Sequence, residues 1–283
     1  MTAPHLEGLR DGAAGSTTRI RVGRSLPGIE RVEARFRGGG FAPHRHDTYA
    51  FGVTLSGVQT FSYRGIKRHC LPRQCHILHP DETHDGSPGS ASGFCYRILY
   101  VDPSLVQQAL GGKALPFVAD PVVTLPAARA RLLSRAWDID DDLDDVDHAD
   151  MVSAIADTLQ LLSTHSPQGP RSLPFEALRR VRDAMVADPV QRRAADQLER
   201  IAGLDRWTLA RDFRAAYGTS PRTFRTMRQL DRARRLIMQG HSLAEAAVEA
   251  GFSDQSHMSR MFKRAYGLTP VRWANAVAGR DVA

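Results

Sequence analysis

From Ala34 to Asp102, hydrophobic and polar positions alternate in short runs, the period of half-buried strands. Tyr49, Phe51, Val53 and Leu55 form one run, and Phe61 and Tyr63 a second. Ile77 and Leu78 follow a turn at Leu71-Pro72-Arg73-Gln74, and Phe94, Tyr96, Ile98 and Tyr100 alternate again. Gly57 and Gly65 punctuate the runs, which predicts a small antiparallel barrel or jelly roll. Past residue 174 the period changes, and Ala, Arg and Leu recur at helical spacing. Between the two regimes Ser163 to Pro174 reads STHSPQGPRSLP, the composition of an exposed linker. An α+β multidomain chain is expected: a β-rich domain over 1–103, a helical extension over 104–165, a linker at 166–174 and an all-helical domain over 175–283.

The helical part contains a repeat. FRAAYGTSPRTF begins at Phe213 and FKRAYGLTPVRW begins 49 residues later at Phe262, with Ala216/Ala265, Tyr217/Tyr266, Gly218/Gly267 and Pro221/Pro270 in register. Ahead of the second copy, Ser242 and Glu245 form a capping box, Leu243, Ala246 and Ala247 form a buried stripe, and Gly251 supplies a left-handed residue. Ser253 is the expected cap of the next helix, in which Met258, Met261 and Phe262 face inward and Gln255, Ser256, His257, Ser259 and Arg260 face out. The first copy follows the same logic: helix 195–202 buries Leu198 and Ile201, Gly203 turns and Asp205 caps. Leu209 and Phe213 then point inward, leaving Arg206, Trp207, Ala210 and Arg211 outside. Trp207 has two readings at this stage, an exposed apolar reader or a ring tucked against the preceding helix. Each pair is a helix-turn-helix, whose second helix can enter a major groove. Between them, apolar residues at 224, 227, 230, 233, 236 and 237 predict a rigid helix that spaces the units to reach successive grooves, roughly 34 Å apart.

Charge supports this division. Residues 1–170 hold 17 Lys+Arg against 19 Asp+Glu, whereas 171–283 hold 21 against 12, so the whole basic excess lies in the helical part, where it suits a polyanion. No apolar run approaches the length of a membrane span, and the first residues lack a signal-peptide pattern, so a cytoplasmic protein is expected. Three cysteines are too few and odd in number for a disulfide framework.

With these residues in place the chain resembles the AraC/XylS family of transcription regulators. The resemblance spans about 175–275 and rests on the paired units, Arg232-Ala233 with Leu236, Gly251-Phe252-Ser253, and Phe262-Lys263-Arg264 with Gly267 and Thr269-Pro270. It implies that Trp207, Ala210 and Arg211 in one unit, and Gln255, Ser256 and Arg260 in the other, read bases, with Arg206 and His257 on the same outward faces. Arg can bond a guanine edge in two places and Gln an adenine edge, while Ala210 offers only a methyl contact. Promoter DNA and a small effector are the implied partners, in a homodimer, with RNA polymerase open as a further one.

In the other half, His44-x-His46 entering a strand, with Pro80 and His84 beyond it, resembles the paired histidine motifs of the cupin family. Metal cupins place a Glu after three or four residues beyond the second His, that is, where this chain has Ala50 or Phe51. No metal, cofactor or catalytic residue is therefore assigned, and the chain is read as no enzyme. The family resemblance implies instead that a small molecule sits in the barrel's mouth, with His44, His46, Tyr49 and His84 lining the pocket. RHCLPRQCHILHPDETH, from Arg68 to His84, holds four histidines and two cysteines and keeps a metal or thiol-redox sensor as the alternative, ahead of a metal-dependent cupin enzyme. A constitutive DNA binder whose barrel only dimerises is a further contrast.

Asp138 to Asp150 contains eight aspartates in thirteen residues, an acidic lead-in to a helix with an apolar stripe at Val152, Ile155, Leu159 and Leu162. The resemblance implies that this helix pairs with its twin, with Leu159 in the dimer contact. Effector, operator and the sign of regulation are not encoded legibly, nor is the order of the first 20 residues.

Overall fold

The computed structural model describes residues 17–24, 26–164, 173–267 and 269–277. The expected N-terminal arm and most of the expected linker lie outside the described residues. The β-rich part runs β1 (Thr17–Val22), β2 (Ile29–Arg37), β3 (Phe41–His44), β4 (Tyr49–Gly57), β5 (Gln59–Tyr63), β6 (Ile66–Cys70), β7 (Cys75–Leu78), β8 (His84–Pro88) and β9 (Phe94–Val101). Then come α1 (Pro103–Ala109), β10 (Val122–Val123), α2 (Ala127–Leu132), α3 (Ser134–Trp137) and α4 (Asp145–Leu162). Two antiparallel sheets result, ordered β1-β2-β9-β4-β7-β10 and β3-β8-β5-β6. Left-handed Gly65 turns the β5–β6 hairpin, and left-handed Gly57 ends β4 where the chain crosses to β5 in the other sheet.

Alternation along β4 and β9 sends residues to two different cores. Ala50, Tyr96, Ile98 and Tyr100 point between the sheets, where Phe36, Phe61, Tyr63 and Phe94 join them. Tyr49, Phe51, Leu99 and Val101 point the other way, against Val106, Trp137, Ile155 and Leu159. The larger sheet is thus buried on both faces, and α4 belongs to the barrel's own core. This corrects the dimer assignment of Leu159: the side chain is fully buried within one chain, and a charge there would break the core. The outward face of α4 carries Val146, Ser153, Asp157, Gln160 and Leu161.

The aspartate run is pinned by arginines of its own half. Arg21 meets Asp140, Arg24 meets Asp142 and Arg97 meets Asp138, while Arg135 bridges Asp141 and Asp147. The guanidinium of buried Arg31 donates to the carbonyls of Asp138 and Asp141 at 2.6 and 2.9 Å. Asp144 then caps α4 in a capping box with Asp147.

The helical part runs α5 (Phe175–Ala187), α6 (Ala195–Ala202), α7 (Arg206–Tyr217), α8 (Pro221–Met238), α9 (Leu243–Glu249), α10 (Gln255–Tyr266) and α11 (Pro270–Val277). Gly203 and Gly251 are left-handed at the two turns, and Asp205 and Ser242 cap as expected. Asp254, not Ser253, caps α10: its carboxylate accepts from His257 N at 2.7 Å, and Ser253 Oγ donates to Asp254 instead. α8 buries Phe224, Met227, Leu230, Ala233 and Leu236 and runs between the two units as a common spine.

Candidate functional site

β3, the β3–β4 turn and β8 bring three imidazoles together. His44 pairs with His84 across the β3–β8 ladder, and His46 closes the group from the turn. One ring nitrogen from each lies within 4.8 Å of the other two, and all three side chains are buried. Each Nδ1 faces a nearby backbone carbonyl, that of Ala42 at 2.8 Å, Thr48 at 2.9 Å and Glu82 at 3.0 Å. Those contacts place the proton on Nδ1 and leave each ring's lone pair on Nε2. Nε2 of His84 is buried and makes no hydrogen bond. Burial, with His44 and His46 adding to it, holds His84 well below the usual histidine range, so it is neutral. The Tyr100 ring stands edge-on to His46 at 5.3 Å. Outside, a cleft of about 350 Å³ lined by Pro43, Ser62, Arg64, Glu82, His84 and Asp85 opens beside the cluster.

Three of the four expected pocket residues therefore meet. Tyr49 does not: alternation turns it to the opposite face of the sheet, where its hydroxyl donates to Pro116 O at 2.9 Å and its ring packs on His79. The cluster between Arg68 and His84 also disperses. His69 is exposed, bonded to Thr60, and His76 is wholly buried between the sheets beside Phe61 and Tyr96. Cys70 and Cys75 are both free, buried thiols, but they belong to different cores. Burial pushes them up to about 11 and about 12, away from the thiolate that a redox sensor needs.

The turns that carry the histidines also hold the helical part. Asp47, next to His46, is buried and receives Arg228 of α8 at 2.6 Å. Burial pushes the Asp47 carboxyl up to about 6 while the guanidinium pulls against it. Arg45 N donates to Arg264 O of α10 at 3.3 Å. Asp81 N donates to His46 O at 2.7 Å, and the Asp81 carboxylate lies 3.4 Å from Arg45 and 3.9 Å from Arg214 of α7. Pro80 sits under Gly218 at the end of α7. Asp47 and Arg228 were missed by sequence reasoning, since nothing in HRHD or in the amphipathic stripe of α8 couples positions 181 residues apart.

On the far side, the second helices of both units present solvent faces. Arg206, Trp207, Ala210 and Arg211 are exposed on α7, and Gln255, Ser256 and Arg260 on α10. Trp207 is 78% exposed, so the ring does not tuck against α6. Arg206 is held by Glu199 at 3.0 Å and Arg211 by Asp212 at 3.2 Å. His257 is half-buried: its Nδ1 lies 3.1 Å from Ser253 Oγ and its ring stands against Phe252, so it braces the turn.

An antiparallel barrel with a polar site at its mouth, joined to twin helix-turn-helix units on a basic domain, defines a ligand-responsive transcription regulator. The AraC-like ligand binding domain matches residues 26–168, half of the chain, and a helix-turn-helix domain matches 198–276. The chain belongs to the AraC family. It regulates transcription, with a ligand-binding N-terminal domain and a DNA-binding C-terminal one. Among its relatives, the uncharacterized HTH-type transcriptional regulator YbfI of Bacillus subtilis is 23% identical over 223 residues, 77% of this chain and 81% of that one. ExsA, an HTH-type transcriptional regulator of Pseudomonas aeruginosa, is 29% identical over 134 residues, 44% of this chain and 48% of that one. ToxT of Vibrio cholerae shares the fold, with a TM-score of 0.58 at 10% identity over 95% of this chain and 99% of that one. A second ToxT structure, described as bound to unsaturated fatty acid, gives 0.59 at 10% identity, covering 97% and 100%.

Proposed function

We propose that Trp207, Ala210 and Arg211 on α7, and Gln255, Ser256 and Arg260 on α10, are the positions that read promoter DNA. The observation that carries this is the pair of exposed faces at equivalent places on the repeated helices of the basic domain. Arg206 positions the turn through Glu199, and His257 does so through Ser253. The effector enters the cleft beside His84, between Arg64 and Glu82, and the three histidines orient it. Arg64, which stands 3.7 Å from Glu82 in that lining, is the group that would meet an anion, and the fatty acid named for ToxT supports a carboxylate-bearing effector. An effector changes DNA affinity only through different contacts in two states, and the contacts of 45–47 and 80–81 with α7, α8 and α10 are where those states would differ.

The protein acts by binding and not by catalysis: its relatives are regulators, and Ala50 and Phe51 stand where metal cupins place a carboxylate. Residues 1–103 with 104–165 form the sensing unit and 175–283 the DNA-binding unit. It works in the cytoplasm as a homodimer, through the outer face of α4 at Val146 and Leu161, with RNA polymerase as a further partner. No helix among the described residues is long and apolar enough to cross a membrane. The test is a gel-shift series with the full chain and its own promoter. Arg260→Ala is expected to weaken binding by about 1–3 kcal/mol and relax one base position; unchanged affinity and base preference would overturn the assignment.

A further inference from the structure

We infer that His44, His46 and His84 bind a divalent first-row transition-metal ion, and that its occupancy is passed to the DNA-binding domain through the Asp47–Arg228 contact. Only the second half of this statement rests on the reading of the helical domain given above.

The donor set is complete in kind. All three groups are imidazoles with Nδ1 engaged by a carbonyl, the arrangement that fixes the tautomer of histidine ligands and leaves Nε2 to coordinate. Three buried imidazoles converge without an intervening carboxylate or ammonium group. Neutral nitrogen donors select zinc, cobalt, nickel or copper over magnesium and calcium, which require oxygen. Three protein ligands leave a fourth position, which falls to water or to a donor atom of the effector reaching the cleft that His84 lines.

Loading would fix these separations. A tetrahedral ion about 2.0–2.1 Å from each nitrogen holds the nitrogens about 3.4 Å from one another, so any pair standing farther apart within the 4.8 Å that encloses them is drawn in. His44 is held in the β3–β8 ladder, whereas His46 lies in the turn, so the turn is the part free to close. That turn contains Arg45, bonded to α10, and Asp47, bonded to Arg228 at 2.6 Å. Asp81, which donates to His46 O, faces Arg214 on α7. A shift of His46 therefore reaches the spine helix and both reading helices through direct contacts.

The experiment uses full-length protein stripped with EDTA and titrated with Co²⁺. A visible ligand-field spectrum saturating at one ion per chain and displaced by Zn²⁺ is expected. His84→Gln and His46→Gln should abolish it, and His69→Gln, at an exposed position, should not. An unchanged wild-type spectrum on adding Co²⁺ overturns the site even if the variants fail to fold, and so does a folded His84→Gln protein that keeps the wild-type spectrum. For the coupling, Zn²⁺ should change the apparent Kd for the promoter fragment at least about fivefold in wild type and not in Asp47→Asn. Equal affinities with and without Zn²⁺ overturn the coupling and leave the ion site. No DNA binding in either state, with the Co²⁺ spectrum intact, counts against the coupling and against the DNA-reading assignment, not the site.

Discussion

In the first helix-turn-helix unit Phe213, Ala216 and Tyr217 are buried and Gly218 ends α7 at φ 72°; in the second, Phe262, Ala265 and Tyr266 are buried and Gly267 ends α10 at φ 68°. The first helix of each unit is closed in the same way. Arg180 of α5 donates to Ile201 O and Ala202 O, and Arg232 of α8 donates to Glu249 O. Their surroundings then part company. The first unit leans on the barrel, through Leu115 N to Ala215 O, Arg214 facing Asp81, and Gly218 over Pro80. The second is knotted to its own spine: Arg234 lies between the rings of Tyr266 and Trp273 at 5.0 and 5.2 Å, and Tyr266 donates to Asp231. Helix geometry fixes the repeated core, and whatever faces the neighbouring domain is free to diverge. Both units touch the barrel, the second through Arg45 N to Arg264 O of α10, but only the second is also knotted in this way to its own spine.

The largest effect should come from the shared core. Phe213→Ala and Phe262→Ala each remove a fully buried ring and should each cost about 3–5 kcal/mol in urea unfolding. The comparison breaks if one of them costs under about 1 kcal/mol, because the two units would then not be cored alike.

The divergence is sharpened by two glycines of one unit. Gly203 and Gly218 have nearly the same φ, 67° and 72°, but a Cβ at Gly203 would meet nothing within 4 Å, whereas one at Gly218 would lie 2.6 Å from Pro80 Cβ. Gly203→Ala should cost about 1–2 kcal/mol of left-handed strain and leave the domains docked. Gly218→Ala should cost more, and limited proteolysis should detect the helical part loosened from the barrel. Equal thermal shifts for the two variants would mean that the Pro80 contact does not hold the units.

Why some of this was legible is a matter of range. The capping box at Ser242, the turn at Gly251 and the stripe of α8 are decided within a few residues, so spacing alone reveals them. Alternation in β4 likewise marks two faces. It does not say which face lies between the sheets and which lies under helices, and a step of one residue exchanges them. Tyr49 therefore reads as a neighbour of the histidines although it looks away from them, and the stripe of α4 does not say whether Leu159 meets a partner or, as it does, Phe51's side of the sheet. The meeting of His84 with His44 depends on the β3–β8 pairing, and that of Asp47 with Arg228 on the docking of two domains, neither of which leaves a local trace.

The smallest predicted effect concerns the caps of the two reading helices, where the units are alike again. The Asp205 carboxylate accepts from Trp207 N and Thr208 N, and Asp254 accepts from His257 N at 2.7 Å. Hydrogen bonds, led by that from Thr208 for Asp205 and from His257 N for Asp254, hold both carboxyls below the usual range. A carboxyl depressed in the folded state adds stability that is present above its unfolded pKa and is lost as pH falls through the folded value. Asp205→Ala and Asp254→Ala should therefore lower the melting temperature modestly at neutral pH and converge on wild type in acid, whereas the Asn variants, which still cap, should lose less at neutral pH. Melting curves from pH 7 down to about 3 check this. A deficit that persists undiminished at the acid end would show that the carboxylates act through something other than capping, and an effect at only one of the two positions would end the likeness of the helices' starts.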